Sequence, residues 1–527
     1  MVKDGIVKVM YILIRWTETG VANKFLCGFN LKWVDDMTIV HHTISREPLS
    51  NTSTGWSDFE KVSFRFAFIF ISLLVIPLSR EWYDRLFSLD SLSSFFYAFS
   101  GYRVDFFRVS GESGRWGLGG YAAWGLVALT GFLGAAVWTI IGRHSKRQDY
   151  NTLYYWLRVI VRYRIGIGLI AFGFIKFFPN QMPFPSIANL NTAMGDYAPF
   201  KLYWQIIGVS WEYQSFLGFL EIAIGIMMFF RATTVLGAIL TIGVLFNIAH
   251  ANLGYDGAVH VYSSYFVLLA LFLLIQYLPN IWKLFIKGER VKPQYYYLDL
   301  TSTKSKAAAY YMLKGAFVFL FVVINGFGMY DRFFHTGRTK EPVIPGLPNS
   351  QGYYHVSTFV LNGDTLQYSP HDPHRWHDAI FERYSTFVYK VNKELPVNLG
   401  NGGSSIADLF KNYEFTGRAG GKTYLYYEID SAESKLYLVD KNRKLSSGLQ
   451  KQFDRENNID LKELYATPFR DSLGILVWDY ERPAEDRLVL SGADANQDSI
   501  RVVLDRWDET YLTGIEWHIR NKKYTYP

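Results

Sequence analysis

The side chains best able to do chemistry are ionisable groups inside apolar stretches, where a charge persists only if it pairs, moves a proton or binds something. Lys176 and Gln181 stand at the end of one such stretch; Glu212 and Gln214 open the next, which carries Glu221 about two turns in. Asn247, His250 and Asn252 close a third, and Asp256 and His260 occupy the short link to a fourth. Arg162, Gly166, Leu169, Gly173 and Lys176 recur at intervals of four, three, four and three residues, and Gln214, Gly218, Glu221 and Gly225 at four, three and four. That spacing puts each set on one helix face, and the glycines would let two backbones approach closely. The expectation is an outward-facing polar pocket that binds a ligand through Lys176, Gln181, Glu212, Glu221, Asn247, His250, Asp256 and His260, with Lys176 paired to Glu221. A structural reading stands beside it: Lys176 snorkels to an interface, Asn247 and His250 join helices by hydrogen bonds, and Tyr255, Asp256 and Gly257 form a turn. Glu221, His250 and His260 are metal-ligand types, but no tight spacing motif joins them, so no metal site is expected. No residue is assigned a catalytic role.

The elements that must position these groups are apolar runs near Phe64–Leu78, Leu118–Ile141, Leu157–Phe178, Tyr213–Phe230, Thr233–Ala251, Tyr262–Leu278 and Ala308–Met329. Each is close to the length that crosses a hydrocarbon core, so about seven spans are expected, the first short and the fourth interrupted by Glu221. Arg143, Lys146 and Arg147 follow the second run, and Lys283, Lys287, Arg290, Lys292, Lys304 and Lys306 follow the sixth. The connections Pro179–Glu212 and Asn252–Val261 hold one basic residue, Lys201. Positive-inside bias therefore places the N-terminus in the cytoplasm and everything after Met329 outside. Residues 1 to about 30 read as an amphipathic helix on the inner surface, or equally as a helix packed on the bundle, rather than a signal peptide.

After Tyr330 the pattern changes to short alternating runs: Tyr353–Leu361 ending at Asn362-Gly363, Thr386–Val391, Thr423–Ile429, Lys435–Val439, Ile475–Tyr480, Arg487–Leu490, Arg501–Leu504 and Tyr511–Ile519. Period-two alternation between turn residues predicts an antiparallel all-β domain, as a sheet, sandwich or small barrel. Five segments result: 1–60, N-terminal amphipathic or cytoplasmic; 61–149, the first two spans; 150–290, a four-helix membrane unit; 291–330, a cytoplasmic loop and the last span; and 331–527, the external β-rich domain.

Several chemistries are excluded. The single cysteine, Cys27, rules out an internal disulfide framework and a two-thiol relay. There is no phosphate loop, and Gly111-Glu-Ser-Gly114 is not a nucleophile elbow. The net charge of +7 is explained by basic loops facing anionic lipid, so nucleic acid is not expected as a partner. His371, Asp372, His374, His377 and Asp378 crowd around Pro373, a pattern read as a helix start capped by Asp372.

Arg164-Ile-Gly-Ile-Gly-Leu, Phe172-Gly-Phe-Ile-Lys-Phe-Phe-Pro-Asn-Gln181-Met-Pro-Phe-Pro185, Gly195-Asp196, Gly208-Val-Ser-Trp-Glu-Tyr213, Gly218-Phe-Leu-Glu221, Arg231-Ala-Thr-Thr-Val-Leu-Gly237 and Asn252-Leu-Gly-Tyr-Asp256 follow in order. Together they resemble large DoxX-like membrane proteins of Bacteroidota over roughly residues 150 to 290, with a weaker likeness at Gly514-Ile-Glu-Trp-His-Ile519. The resemblance implies a four-helix membrane unit in a bacterial inner membrane, and quinone-linked redox chemistry near Lys176, Glu221 and Asp256. His260 stands where this subgroup would have Lys. The expectation is an inner-membrane protein that binds a small or lipid-soluble ligand, quinone being the candidate cofactor. The alternative is a non-catalytic scaffold of an envelope complex whose β-domain recruits a protein partner.

Overall fold

The computed structural model describes residues 55–87, 92–104, 118–144, 147–257, 259–291, 298–336, 339–397, 399, 407–417, 420–443, 453 and 459–508. The expected N-terminal surface helix, Cys27 and the strand over 511–519 lie outside the described residues. In chain order the helices are α1 (Asp58–Val75), α2 (Arg80–Phe87), α3 (Leu92–Ser100), α4 (Gly119–Ile141), α5 (Asn151–Phe177), α6 (Ile187–Leu190), α7 (Pro199–Val209), α8 (Trp211–Phe229), α9 (Thr234–Gly254), α10 (His260–Leu274), α11 (Leu278–Phe285), α12 (Lys304–Val318) and α13 (Asn325–Phe334). Strands β1 (Gly352–Leu361), β2 (Asp364–Thr365), β3 (Asp378–Phe381), β4 (Thr386–Lys390), β5 (Lys422–Asp430), β6 (Lys435–Asp440), β7 (Leu476–Ala484), β8 (Arg487–Ala493) and β9 (Ser499–Trp507) follow.

Among the described residues, five helical stretches are long and apolar enough to cross a membrane: Gly119–His144, Trp211–Phe229, Thr234–Gly254, His260–Phe285 and Lys304–Phe334. The first and third expected spans fall in α1 and α5, whose charges set them apart. Asp58, Glu60, Lys61 and Arg65 lie on α1, and Arg158, Arg162, Arg164 and Lys176 on α5. His260–Phe285 is the most enclosed of the five stretches and Lys304–Phe334 the least, as a helix bathed in lipid would be.

The chain forms two compact units. One holds the described residues of Met1–Ile170, Ile224–Ala249 and Ala258–Ile324; the other holds those of Ala171–Ala223, His250–Gly257 and Asn325–Pro527. In the first unit a capping box starts α1. The Glu60 amide donates to Ser57 Oγ and the Ser57 amide to the Glu60 carboxylate, at 3.3 and 2.7 Å. Where α1 meets α4, a side chain at Gly131 would press on the Phe66 ring and the Phe70 Cβ. Buried arginines are held by local acceptors: Arg65 donates to Tyr150 Oη at 3.0 Å and Thr139 Oγ1 at 2.8 Å, and Arg164 to the Tyr102 carbonyl at 2.5 Å. Such pairing is what makes charges tolerable in an apolar bundle.

In the second unit the β-domain is a closed barrel. Its antiparallel order is β1-β3-β4-β5-β6-β7-β8-β9, and β9 pairs back onto β1 from Tyr353↔Trp507 to Leu361↔Ile500. Closure removes the exposed sheet edges that would otherwise invite aggregation. Asn362 and Gly363, both at positive φ (52° and 92°), make the two-residue loop that lets β2 fold back on β1. Inward-facing Tyr354, Phe359, Phe381, Phe387, Leu438, Trp478, Leu490 and Val502 fill the lumen as one apolar core. Trp376 reaches that core from the preceding turn, stacking on Tyr389 at 4.1 Å. His371–His377 is a turn and not a helix start: Asp372 Oδ1 accepts the His374 and Arg375 amides, and β3 begins at Asp378 before a helix can form.

Candidate functional site

The two glycine faces meet as the spacing predicts. In the second unit, a Cβ at Gly173 would stand 2.8 Å from the Gly218 carbonyl and 2.9 Å from the Ile222 amide, and one at Gly218 would collide with the Phe177 backbone. In the first, a Cβ at Gly166 would stand 2.9 Å from the Gly225 carbonyl, and one at Gly225 3.0 Å from that of Gly166. This is backbone-to-backbone packing of the kind small residues permit between membrane helices. One turn beyond Gly173, Lys176 Nζ donates to Glu221 Oε2 at 2.8 Å, with the two side chains 11% and 2% exposed. Gln214 on α8, fully buried, clamps the turn after α5: its Oε1 accepts the Met182 amide and its Nε2 donates to the Met182 carbonyl, both at 2.9 Å.

The remaining expected ligands are placed differently. Gln181 is partly buried, with its Oε1 enclosed and lacking a hydrogen-bond partner among the described residues. Glu212, Asn247 and His250 are exposed, and so is Asp256, which takes the left-handed turn conformation (φ 54°). His260, in the first unit, is buried, with Nδ1 3.2 Å from Tyr121 Oη and its ring stacked on that phenol. Among the described residues no group of three or more His, Cys, Asp or Glu could hold a metal. The expected set therefore reduces to a tight core of Lys176 and Glu221, supported by Gln214.

Sequence reasoning missed a second cluster in the same unit. The segment after Met182 lies against the barrel through buried charges at both ends of α6. Glu382 accepts the Ala188 amide at 2.8 Å and the Ile187 amide at 3.1 Å. Lys422 Nζ donates to the Ala188 and Asn191 carbonyls and to Thr192 Oγ1 at 2.6, 2.9 and 2.6 Å. A carboxylate at the first amides and an ammonium at the last carbonyls satisfy the groups a short helix leaves open. Ala188 itself packs with Ile380, Val388, Phe415 and Tyr424. Beside this clamp, Met182, Pro183, Trp204 and Gln205 line a shallow cleft with Lys201, Lys340 and Tyr413. The Lys340 ammonium sits 4.1 Å from the Trp204 ring centre, Lys201 Nζ is 3.4 Å from the Asn412 carbonyl, and Tyr413 Oη is 2.9 Å from Tyr384 Oη. Burial lowers Lys201 to about 8, and burial with the neighbouring Lys201 and Arg332 charges holds Lys340 well below the usual lysine range. The cleft thus offers lysine N–H and phenol donors beside an indole, a combination suited to a ligand bearing acceptor oxygens. No short-range spacing links Glu382 to Ala188, 194 residues away, so no sequence signal points to the clamp.

The clamp has a pH signature. Burial raises Glu382 from 4.5 to about 7, so the folded state binds the extra proton between those values, and stability rises as pH falls through that window, by up to about 3 kcal/mol. Burial lowers Lys422 from 10.5 to about 8, so its contribution rises as pH climbs through that upper window. The barrel with its clamp is therefore expected to be least stable between pH 7 and 8. Thermal unfolding of the detergent-solubilised protein, followed by tryptophan fluorescence, should show a melting temperature that rises on acidification toward pH 5. Glu382→Gln should lessen that rise, Glu428, which burial also raises to about 7, carrying the rest, and an unchanged slope in the variant would remove Glu382 as a source.

The chain matches no family model, no curated protein and no solved structure, so its function is read from this geometry.

Proposed function

We propose that the protein is a DoxX-like inner-membrane protein that binds a small or lipid-soluble ligand of the quinone type, in a redox-linked complex. Its N-terminus lies in the cytoplasm, it crosses the membrane about seven times, residues 150–290 form a four-helix bundle, and the barrel stands in the periplasm. The observation that carries this reading is the buried Lys176–Glu221 pair at 2.8 Å between α5 and α8. Ionised groups at such a place are costly and mark ligand or proton sites. Gln214 ties this pair's helices to Met182, which lines the cleft of Lys201, Trp204, Lys340 and Tyr413. Quinone oxygens would accept N–H bonds from Lys201 and Lys340, and the quinone ring would pack beside the Trp204 indole. A short-tailed menaquinone titrated into protein held in nanodiscs should bind saturably. Lys340→Met together with Lys201→Met should weaken that binding about tenfold or more. Absence of saturable binding, or equal binding by the double variant, sinks the reading.

One observation favours a second reading, an anchor or scaffold. The barrel lumen is filled by its own aromatic and aliphatic side chains, which suits a rigid platform for a protein partner. The same titration separates the two, because a scaffold has no saturable menaquinone site.

A further inference from the structure

The first unit gathers arginines on α5 and at the turn between α8 and α9. Arg158 and Arg162 lie on α5 one turn apart, and Arg231 lies in the turn joining α8 to α9. Together with Tyr155, Thr234 and Tyr277 they line an open surface cleft. Phenols and one carbonyl orient the guanidinium groups. Arg158 Nη2 donates to Tyr277 Oη at 2.9 Å, Arg231 donates to Tyr155 Oη, and Arg162 Nε donates to the Met228 carbonyl at 3.0 Å. Lys314 stands close by, its ammonium 4.3 Å from the Phe230 ring centre. Neither Arg158 nor Arg162 has a carboxylate partner among the described residues, and the buried Arg158 Nε has no hydrogen-bond partner among them. Arg162 is 7% exposed, so its charge is held in a largely desolvated place.

Like charges held together at low solvation repel one another, and an anion of one or two negative charges relieves that repulsion. Guanidinium forks match the oxygens of a phosphate and hold it by paired hydrogen bonds, which a lysine cluster would not do with the same geometry. The cleft opens at helix ends followed by basic loops, beside the exposed apolar side chains of Trp156, Ile160 and Leu236. That setting is where a lipid phosphate would sit, with its acyl chains along the helix faces. We infer that the Arg158–Arg162–Arg231 cleft binds a phosphate group, carried by an anionic lipid headgroup or by a soluble phosphate ester.

The test uses the full chain in a neutral detergent, with thermal unfolding as the readout. Dioleoyl phosphatidic acid, dioleoyl phosphatidylcholine and the water-soluble glycerol 3-phosphate are titrated separately. A saturable rise in melting temperature with phosphatidic acid but not phosphatidylcholine supports a lipid phosphate, and a rise with glycerol 3-phosphate supports a soluble ester. A rise with neither overturns the site, and this arm needs no variant. Arg158→Gln combined with Arg231→Gln should weaken the effective ligand about tenfold or more, whereas Arg143→Gln, at an exposed position, should leave it unchanged. Equal loss in both variants would mean unspecific attraction to basic surface and would also overturn the proposal.

Discussion

Gly218→Val is expected to cost the protein its paired α5 and α8 helices, by at least about 3 kcal/mol, and to appear as an aggregated peak in size-exclusion chromatography. A Cβ at this position meets the Phe177 backbone and comes within 2.5 Å of the Gly173 carbonyl. Backbone atoms cannot rotate away as a side chain can, so the helices must separate. Separation lengthens the Lys176–Glu221 contact of 2.8 Å and loosens the Ser215 hydroxyl from the Phe177 carbonyl, now at 2.9 Å. Both losses fall on desolvated polar groups, where an unmet hydrogen bond is expensive. Gly243→Ala is the control: a methyl group there would find no neighbour within 4 Å, and alanine favours helix, so its melting temperature should match or slightly exceed the parent's. A monodisperse Gly218→Val protein melting with the parent would show that the close approach is not required.

The contrast between this seam and the barrel clamp shows what sequence can and cannot disclose. Gly166, Gly173, Gly218 and Gly225 lie at helical intervals, so their shared faces are legible from spacing alone, and each meets the opposite backbone. The strand pattern is equally local. Runs beginning at Tyr353, Thr386, Thr423, Lys435, Ile475, Arg487 and Arg501 fall within β1, β4, β5, β6, β7, β8 and β9, give or take a terminal residue. The strand β3 escapes because Ala379, Ile380 and Phe381 are all buried, Ile380 on the outer face against Ala188. With both faces covered there is no alternation to read. Closure of the barrel rests on β1 pairing with β9, and the clamp on Glu382 and Lys422 reaching α6. Both are long-range choices that local periodicity does not encode. Asn247, Asp256 and Glu212 share only an expected depth with Lys176, and depth does not fix the direction a side chain takes around its helix.

Breaking the Lys176–Glu221 pair from one side should hurt far more than removing it whole. Glu221→Leu leaves a lysine ammonium, 11% exposed, without its counter-charge, and Lys176→Leu leaves a carboxylate that is 2% exposed. Either single change is expected to lower stability by about 3–5 kcal/mol, the cost of an uncompensated buried charge. The double variant Lys176→Leu/Glu221→Leu removes both charges and their desolvation, so it should recover most of that loss and can equal or exceed the parent. Chemical denaturation of the four proteins in the same detergent closes the cycle, and the coupling term isolates the pair. Near-additive losses would mean that water or another group screens the two charges and that the 2.8 Å contact carries little energy. The cycle also separates stability from use. A double variant as stable as the parent that no longer binds short-tailed menaquinone would place the pair in the ligand site, because packing alone gives no reason for binding to fail. A double variant that is stable and binds unchanged would make the pair a fastening between α5 and α8, and leave ligand binding to the cleft of Lys201, Trp204 and Lys340.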